Sequence, residues 1–404
     1  MQPARLKPQV VLLGIAALLN DAASELIYPL LPVFLTATLG ASPAVVGLIE
    51  GAADALASIL KYFAGTWSDR WKRRKPMIVS GYALAAASRA LIAAAVVWPL
   101  VLTARLLDRT GKGIRSAPRD ALIADVTPQG DRGRAFGFHR ALDHTGAIVG
   151  PLLAILLMQG LGFPLRTVFY IAVIPGAIAA VILMIFLRET KDQGERTKAE
   201  ALPSTETALS SEPSSPIRQP SSFRKALMAI SLFSLANSSD AFLLLQAHAA
   251  GVSTAMLPAL WAAHHVIKSL FSTRAGALSD RMDRRYLLIA GWASYAVIYV
   301  LFPFAHTLTS FVVLFIAYAI PFTLSEGAER AWIADLVPVE TRGKSFGLYY
   351  LANGVCVLAG TALFGLLYQE VSARAAFFTG AALAVAAVVM VAGTGLGGKL
   401  KIEN

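Results

Sequence analysis

The chain is poor in cysteine and poor in charge. Its 404 residues include one cysteine, six histidines and 15% charged side chains. A single Cys356 inside an apolar run leaves no internal disulfide and argues against a thiolate metal site. Soluble domains carry about a quarter of their residues as Asp, Glu, Lys and Arg. With 56% hydrophobic residues and a mean hydropathy of +0.60, this chain is instead a polytopic membrane protein. No ATP-binding loop and no catalytic constellation is found, so neither an enzyme nor a bound cofactor is expected. The opening MQPARLKPQ runs straight into a bilayer-length apolar segment without a small-residue cleavage site, so no cleavable signal peptide is expected.

What is present is apolar length. Twelve segments can span a bilayer: 9–37, 43–66, 76–97, 99–124, 132–159, 164–187, 223–249, 254–277, 286–306, 309–335, 343–369 and 373–396. The expected fold is all-α, with twelve transmembrane helices in two pseudo-symmetric six-helix bundles, 1–187 and 223–404. Between them, 188–222 is rich in Ser, Pro, Thr and Glu without apolar periodicity and reads as a flexible linker. The net charge of +11 is not a nucleic-acid patch. It gathers in the loops after even-numbered segments, which places both termini in the cytoplasm and the protein in the cell inner membrane.

The two bundles repeat in sequence. Gly65-Thr-Trp-Ser-Asp69-Arg70 recurs as Gly276-Ala-Leu-Ser-Asp280-Arg281, and Arg73-Arg74 as Arg284-Arg285. Arg119-Asp120-Ala-Leu-Ile-Ala-Asp125 recurs as Glu329-Arg330-Ala-Trp-Ile-Ala-Asp335, and Arg132-Gly133-Arg134-Ala-Phe136-Gly137 as Arg342-Gly343-Lys344-Ser-Phe346-Gly347. Parallel repeats of this kind place a substrate site between the halves near mid-membrane.

Charges sit inside the spans. Arg105, Asp108, Lys112, Arg115 and Arg119 follow one another at steps of three and four, which sets them on one helical stripe. Charges at that depth cost several kcal/mol each, so they must face partners or water. Arg109 and Asp120 accompany the stripe. Asp21 and Glu25 share a face of the first segment, Asp54 lies in the second, and His139, Arg140 and Asp143 lie in the fifth. Asp240, Glu326, Glu329 and Arg330 are the counterparts in the second half. Together they form the candidate substrate and proton path. The histidines raise divalent metal as an alternative cargo, but no tight ligand spacing is present and no resident metal is expected.

These features resemble the major facilitator superfamily of transporters. Gly65-Thr-Trp-Ser-Asp69-Arg70-Trp-Lys-Arg73-Arg74-Lys75 is similar to the family's signature loop between helices two and three, departing where Trp67 replaces a usual Leu and Lys72 a usual Gly. The resemblance implies that Asp69 faces the amino end of helix eleven and that Arg73 pairs with Asp125. Asp280, Arg284 and Asp335 would repeat the arrangement. Gly146-Ala-Ile-Val-Gly150-Pro151 resembles the packing motif of the family's antiporters, and Arg109-Thr-Gly-Lys112-Gly113 is an imperfect match to its helix-four motif. The implied function is proton-coupled export of a small organic molecule, anionic or metallophore-like or a drug. Uptake by symport is the alternative. The expected partners are the lipid bilayer, a small-molecule substrate and protons, with the protein acting as a monomer. A reporter fused after Lys198 or Lys401 should read cytoplasmic and one within 160–162 external; a periplasmic reading after Lys198 contradicts the topology.

Overall fold

The computed structural model describes residues 6–31, 34–41, 43–189, 220–237, 243 and 257–393. Asp240 and most of the 188–222 linker lie outside them. Thirteen helices are described: α1 Pro8–Ile27, α2 Pro43–Trp71, α3 Lys75–Ala94, α4 Trp98–Val126, α5 Arg132–Ile155, α6 Leu165–Phe186, α7 Ser221–Ala236, α8 Leu257–Ser279, α9 Arg284–Leu301, α10 Leu308–Ala317, α11 Ala319–Asp335, α12 Arg342–Glu370 and α13 Ala373–Ala392. No strand occurs among the described residues.

Local chemistry sets the boundaries. Prolines stand in the first turns of α1, α3 and α4, where a missing N–H costs nothing. Asp283, Thr307 and Ser372 cap α9, α10 and α13 through their side chains. Two segments are less regular than their apolar runs suggest. The first leaves α-geometry at Ile27 and continues as a 3₁₀ turn, Tyr28–Leu30, containing Pro29, and a π turn, Phe34–Thr38. The tenth is broken at Tyr318 between α10 and α11. A third is longer than expected: α2 does not stop at residue 66 but carries Gly65 to Trp71 as helix, so the loop proper is only residues 72–74.

Eight of the described stretches are long and apolar enough to cross a membrane. The long helices α2, α4 and α8 are not among them, and each carries ionisable side chains. Met184, Ile185 and Phe186 on α6 and Leu358 and Leu366 on α12 are exposed, as lipid-facing residues must be.

Helices α1 to α6 pack mainly on one another, as do α7 to α13. Two seams join the sets: α2 lies along α12, and α5 lies along α8. Small residues let these backbones touch. A Cβ on Gly65 would stand 2.1 Å from the Gly343 carbonyl oxygen, and one on Gly276 would stand 2.0 Å from that of Gly133. Behind the seams the second set is filled with rings: Phe233 stacks on Trp292 at 4.7 Å and Tyr295 on Tyr299 at 4.1 Å. Within that set Gly360 brings α12 onto α7, its Cβ position 2.1 Å from the Leu235 carbonyl oxygen. Gly360→Val should therefore destabilise the purified protein by about 1–3 kcal/mol, the usual range for overpacking. Thermal unfolding in detergent measures it, and an unchanged midpoint contradicts the packing.

Candidate functional site

Helix α4 is the axis of the site. Arg105, Asp108, Arg115, Arg119, Asp120 and Asp125 are all buried on it, while Lys112 is exposed. Burial without partners would be prohibitive, and partners are supplied. Arg105 and Arg109 reach Asp108 at 3.6 and 3.8 Å, and Arg109 also meets Asp54 at 3.1 Å. Arg115 donates to the Gly81 carbonyl at 3.0 Å and lies over the Tyr82 ring at 4.5 Å. Arg119 pairs with Asp120 at 2.9 Å, and the other oxygen of Asp120 accepts from the Tyr350 hydroxyl and faces Arg330 at 3.5 Å. Asp120 thus joins α4 to α11 and α12.

Asp21 and Glu25 stand beside this axis because α5 packs tightly on α1. Cβ atoms on Gly146 and Gly150 would lie 3.0 Å from the Asp21 Cβ and 2.8 Å from the Glu25 Cβ. Pro151 sits inside the same helix, which loosens to a π turn at Leu156–Gly160. Asp21 accepts from Asn20 at 3.0 Å; Lys112 and Arg115 are the cations acting on Asp21, and Lys112, Arg109 and Arg105 those acting on Glu25. On α5, Asp143 is held by Arg140 at 2.9 Å and approached by His139 at 3.5 Å. Glu326 is held by Lys268 at 2.8 Å and Glu329 bonds to Tyr349, while Arg330 donates to the Glu326 carbonyl at 2.7 Å.

At the loop end the two sets are clamped twice over. Asp69 accepts from the Gly343 and Lys344 amides at 3.0 and 2.6 Å, capping the N-terminus of α12. Asp280 accepts from the Gly133 and Arg134 amides at 2.7 and 2.8 Å, capping α5 in the same way. Asp125 is shared by Arg74 at 2.9 Å and Arg342 at 2.5 Å, and Asp335 by Arg284 at 2.7 Å and Arg132 at 2.6 Å. Arg74 and Arg284 also reach the capping aspartates, at 3.4 and 2.8 Å. Burial pushes the Asp280 carboxyl above the ordinary carboxylate range, against the pull of Arg284.

The partner of Asp125 is Arg74, not Arg73. Arg73 is exposed, as are Arg70 and Arg281. The first loop is one residue longer than its repeat, and Lys72 accommodates the extra residue at φ +50°, a conformation that glycine adopts freely. The repeats contain the signal: their offset is 211 at Gly65 and Gly276 but 210 at Asp125 and Asp335, so Arg284 answers to Arg74. Sequence reasoning also missed Arg132 and Arg342 as clamp members and Tyr350 as a partner of Asp120. His144 finds partners across the seam, His265 at 3.1 Å and Glu326 at 3.5 Å, which spacing along its own helix does not report.

A helical protein whose ionisable groups are buried between two repeated helix sets, closed at one end by reciprocal clamps, is a membrane transporter and not an enzyme. The model of the major facilitator superfamily matches residues 13–264 and 241–395, and the chain belongs to that family. It is 29% identical over 386 residues to an uncharacterised MFS-type transporter of Methanocaldococcus jannaschii, covering 94% of this chain and 93% of that one. It is 33% identical to the multidrug resistance protein MdtH of Photorhabdus laumondii over 133 residues, 33% of each chain. The human organic anion transporter MFSD10 has the same fold, with a TM-score of 0.76 and 17% identity over 95% of this chain and 100% of that one.

Removing Arg74 leaves buried Asp125 with one guanidinium fewer. Arg74→Ala should cost about 3 kcal/mol of clamp or fold stability, the scale for breaking a buried pair. Arg73→Ala should stay within about 0.5 kcal/mol of the parent, as exposed substitutions do. Thermal unfolding of the two variants side by side decides between them, and equal midpoints contradict the assignment.

Proposed function

We propose that the protein is a proton-coupled exporter of a small organic molecule, working by alternating access between two six-helix bundles, 1–187 and 223–404, joined by the 188–222 linker. In this reading the twelve spans sit in the cell inner membrane with both termini cytoplasmic, and the protein works as a monomer. The observation that carries it is the combination of clamps at one end with buried carboxylates at mid-depth, each beside cations on other helices. Asp21 faces Lys112 and Arg115 on α4, Glu25 faces Lys112 and Arg109 on the same helix, and Asp120 faces Arg330 on α11. Carboxylates so placed exchange protons when a substrate alters the charge around them. The tight α5–α1 packing at Gly146 and Gly150, followed by Pro151, and the partial similarity to a multidrug resistance protein support export over uptake.

Substrate polarity follows from the free cations. Lys112 is exposed among Arg109, Arg115 and Asp21, and Lys61 lies over the Tyr350 ring at 4.9 Å with Lys112 and Arg109 acting on it. A site of this sign favours a substrate with an anionic or zwitterionic group.

The test is an everted-vesicle assay. Vesicles are acidified inside, a pH-sensitive dye is quenched, and a panel of organic acids, zwitterions and cationic dyes is added. Antiport predicts dequenching by at least one acidic compound with the parent protein, and its loss in Asp21→Asn, Asp120→Asn and Asp143→Asn with insertion unchanged. Substrate accumulation in intact cells with proton entry means symport instead, and transport without proton movement overturns the coupling.

A further inference from the structure

The α5–α8 seam ends in a contact that the transport path does not use. Helices α5 and α8 run antiparallel in constant register: Gly133 meets Gly276, Gly137 meets Ser272, and His144 meets His265. His144 stands 11 residues beyond Gly133, which is about 16 Å along the helix, so the histidine pair lies near mid-depth. Both rings are buried, with their Nδ1 atoms 3.1 Å apart and ring centroids 5.1 Å apart. Beside them Thr145 and Ser269 bridge the same two helices at 2.6 Å.

An Nδ1···Nδ1 hydrogen bond needs one proton between two nitrogens. When His265 donates, His144 accepts at Nδ1 and directs its Nε2–H toward Glu326, 3.5 Å away. One added proton makes one ring a cation whose Nδ1–H donates to the bare Nδ1 of the other, neutral ring, and the contact survives. A second proton places N–H against N–H and cation against cation, and the contact is lost. The charged and titratable groups acting on the pair are Lys268, Glu326, Arg140, Asp143 and His264. Lys268 and Arg140 oppose the second proton, and Glu326 and Asp143 attract it. The Glu326 side chain is 21% accessible, which gives protons an entry that the histidines lack.

The repeat shows that this device is built on one seam only. In the α2–α12 seam the residue corresponding to His144 is Gly354, packed on Ser58, and that corresponding to Asp143 is Asn353. We infer that His144 and His265 form a one-proton latch between the two helix sets, and that protonation of both imidazoles releases the α5–α8 seam and with it the clamp that Asp280 and Arg284 complete. This rests on the proposed proton coupling and assigns it a gate: protons arriving at mid-depth open the end that is closed here.

The experiment uses full-length protein in nanodiscs, with Cys356→Ser and spin labels at Arg73→Cys and Met282→Cys, both exposed sites on the two loops of the clamped end. Electron paramagnetic resonance distances are recorded in steps from about pH 8 to about pH 4, an interval that extends below the ordinary histidine range because Lys268 and Arg140 oppose the second proton. The latch predicts that the long-distance population rises roughly tenfold at the acidic pH, a shift that ~1.4 kcal/mol produces. His144→Gln and His265→Gln each remove the pH dependence, while His306→Gln, an exposed histidine outside the pair and the path, retains it. An unresponsive parent overturns the latch, as does a full pH response in either paired variant. No substrate is present, so the outcome is separate from the vesicle assay: proton-driven transport with pH-independent distances refutes the latch and leaves the coupled transporter standing.

Discussion

Charge in a low-dielectric interior must be answered by opposite charge or by hydrogen bonds, and that demand organises this molecule. Helix α4 buries acid and base together on its inner half, yet only Arg119–Asp120 and the Asp108 group are answered mainly from the helix itself. Asp125 and Asp120 reach across to α12 and α11, and Arg115 to the backbone of α3. Which helices can be neighbours is therefore fixed by where counter-charges sit, with apolar packing filling the space behind them. The second helix set, rich in stacked rings, has a stiff aromatic core; the first, with arginines and glycines at its centre, is the side where charge is concentrated.

Much of the helical fold was legible because apolar length and the internal repeat are long-range signals that tolerate local error. Where local chemistry overrode them, the reading slipped. Pro29 and neighbouring turns cut the first helix short, Tyr318 interrupts the tenth span, and α2 continues through Asp69 because nothing before Lys72 stops it. The site was legible by residue type and less so by partner. Spacing along one helix identifies a face, as for Asp21 and Glu25, but it says nothing of what another helix brings to that face. Arg342, Arg132, Tyr350 and His265 each sit more than a hundred residues from their partners, and no periodicity reports such pairs. The Arg74 assignment was recoverable, since the repeat offset changes by one residue within the loop.

The clamps join helix ends of the two sets through several bonds at once. Each couples a carboxylate to two backbone amides of a helix N-terminus and to a guanidinium at once, so opening must break a charge pair and uncap a helix together.

The reciprocity of these contacts has an ancestral consequence. The loop of the first set caps a helix of the second, and the loop of the second caps the corresponding helix of the first. Two copies of one chain related by a two-fold axis make this kind of self-complementary interface. A six-helix ancestor could therefore have closed as a homodimer with the same clamp used twice. The covalent join would then have been free to vary in length and composition, and the two seams free to diverge, one to a histidine pair and the other to a glycine packed on serine.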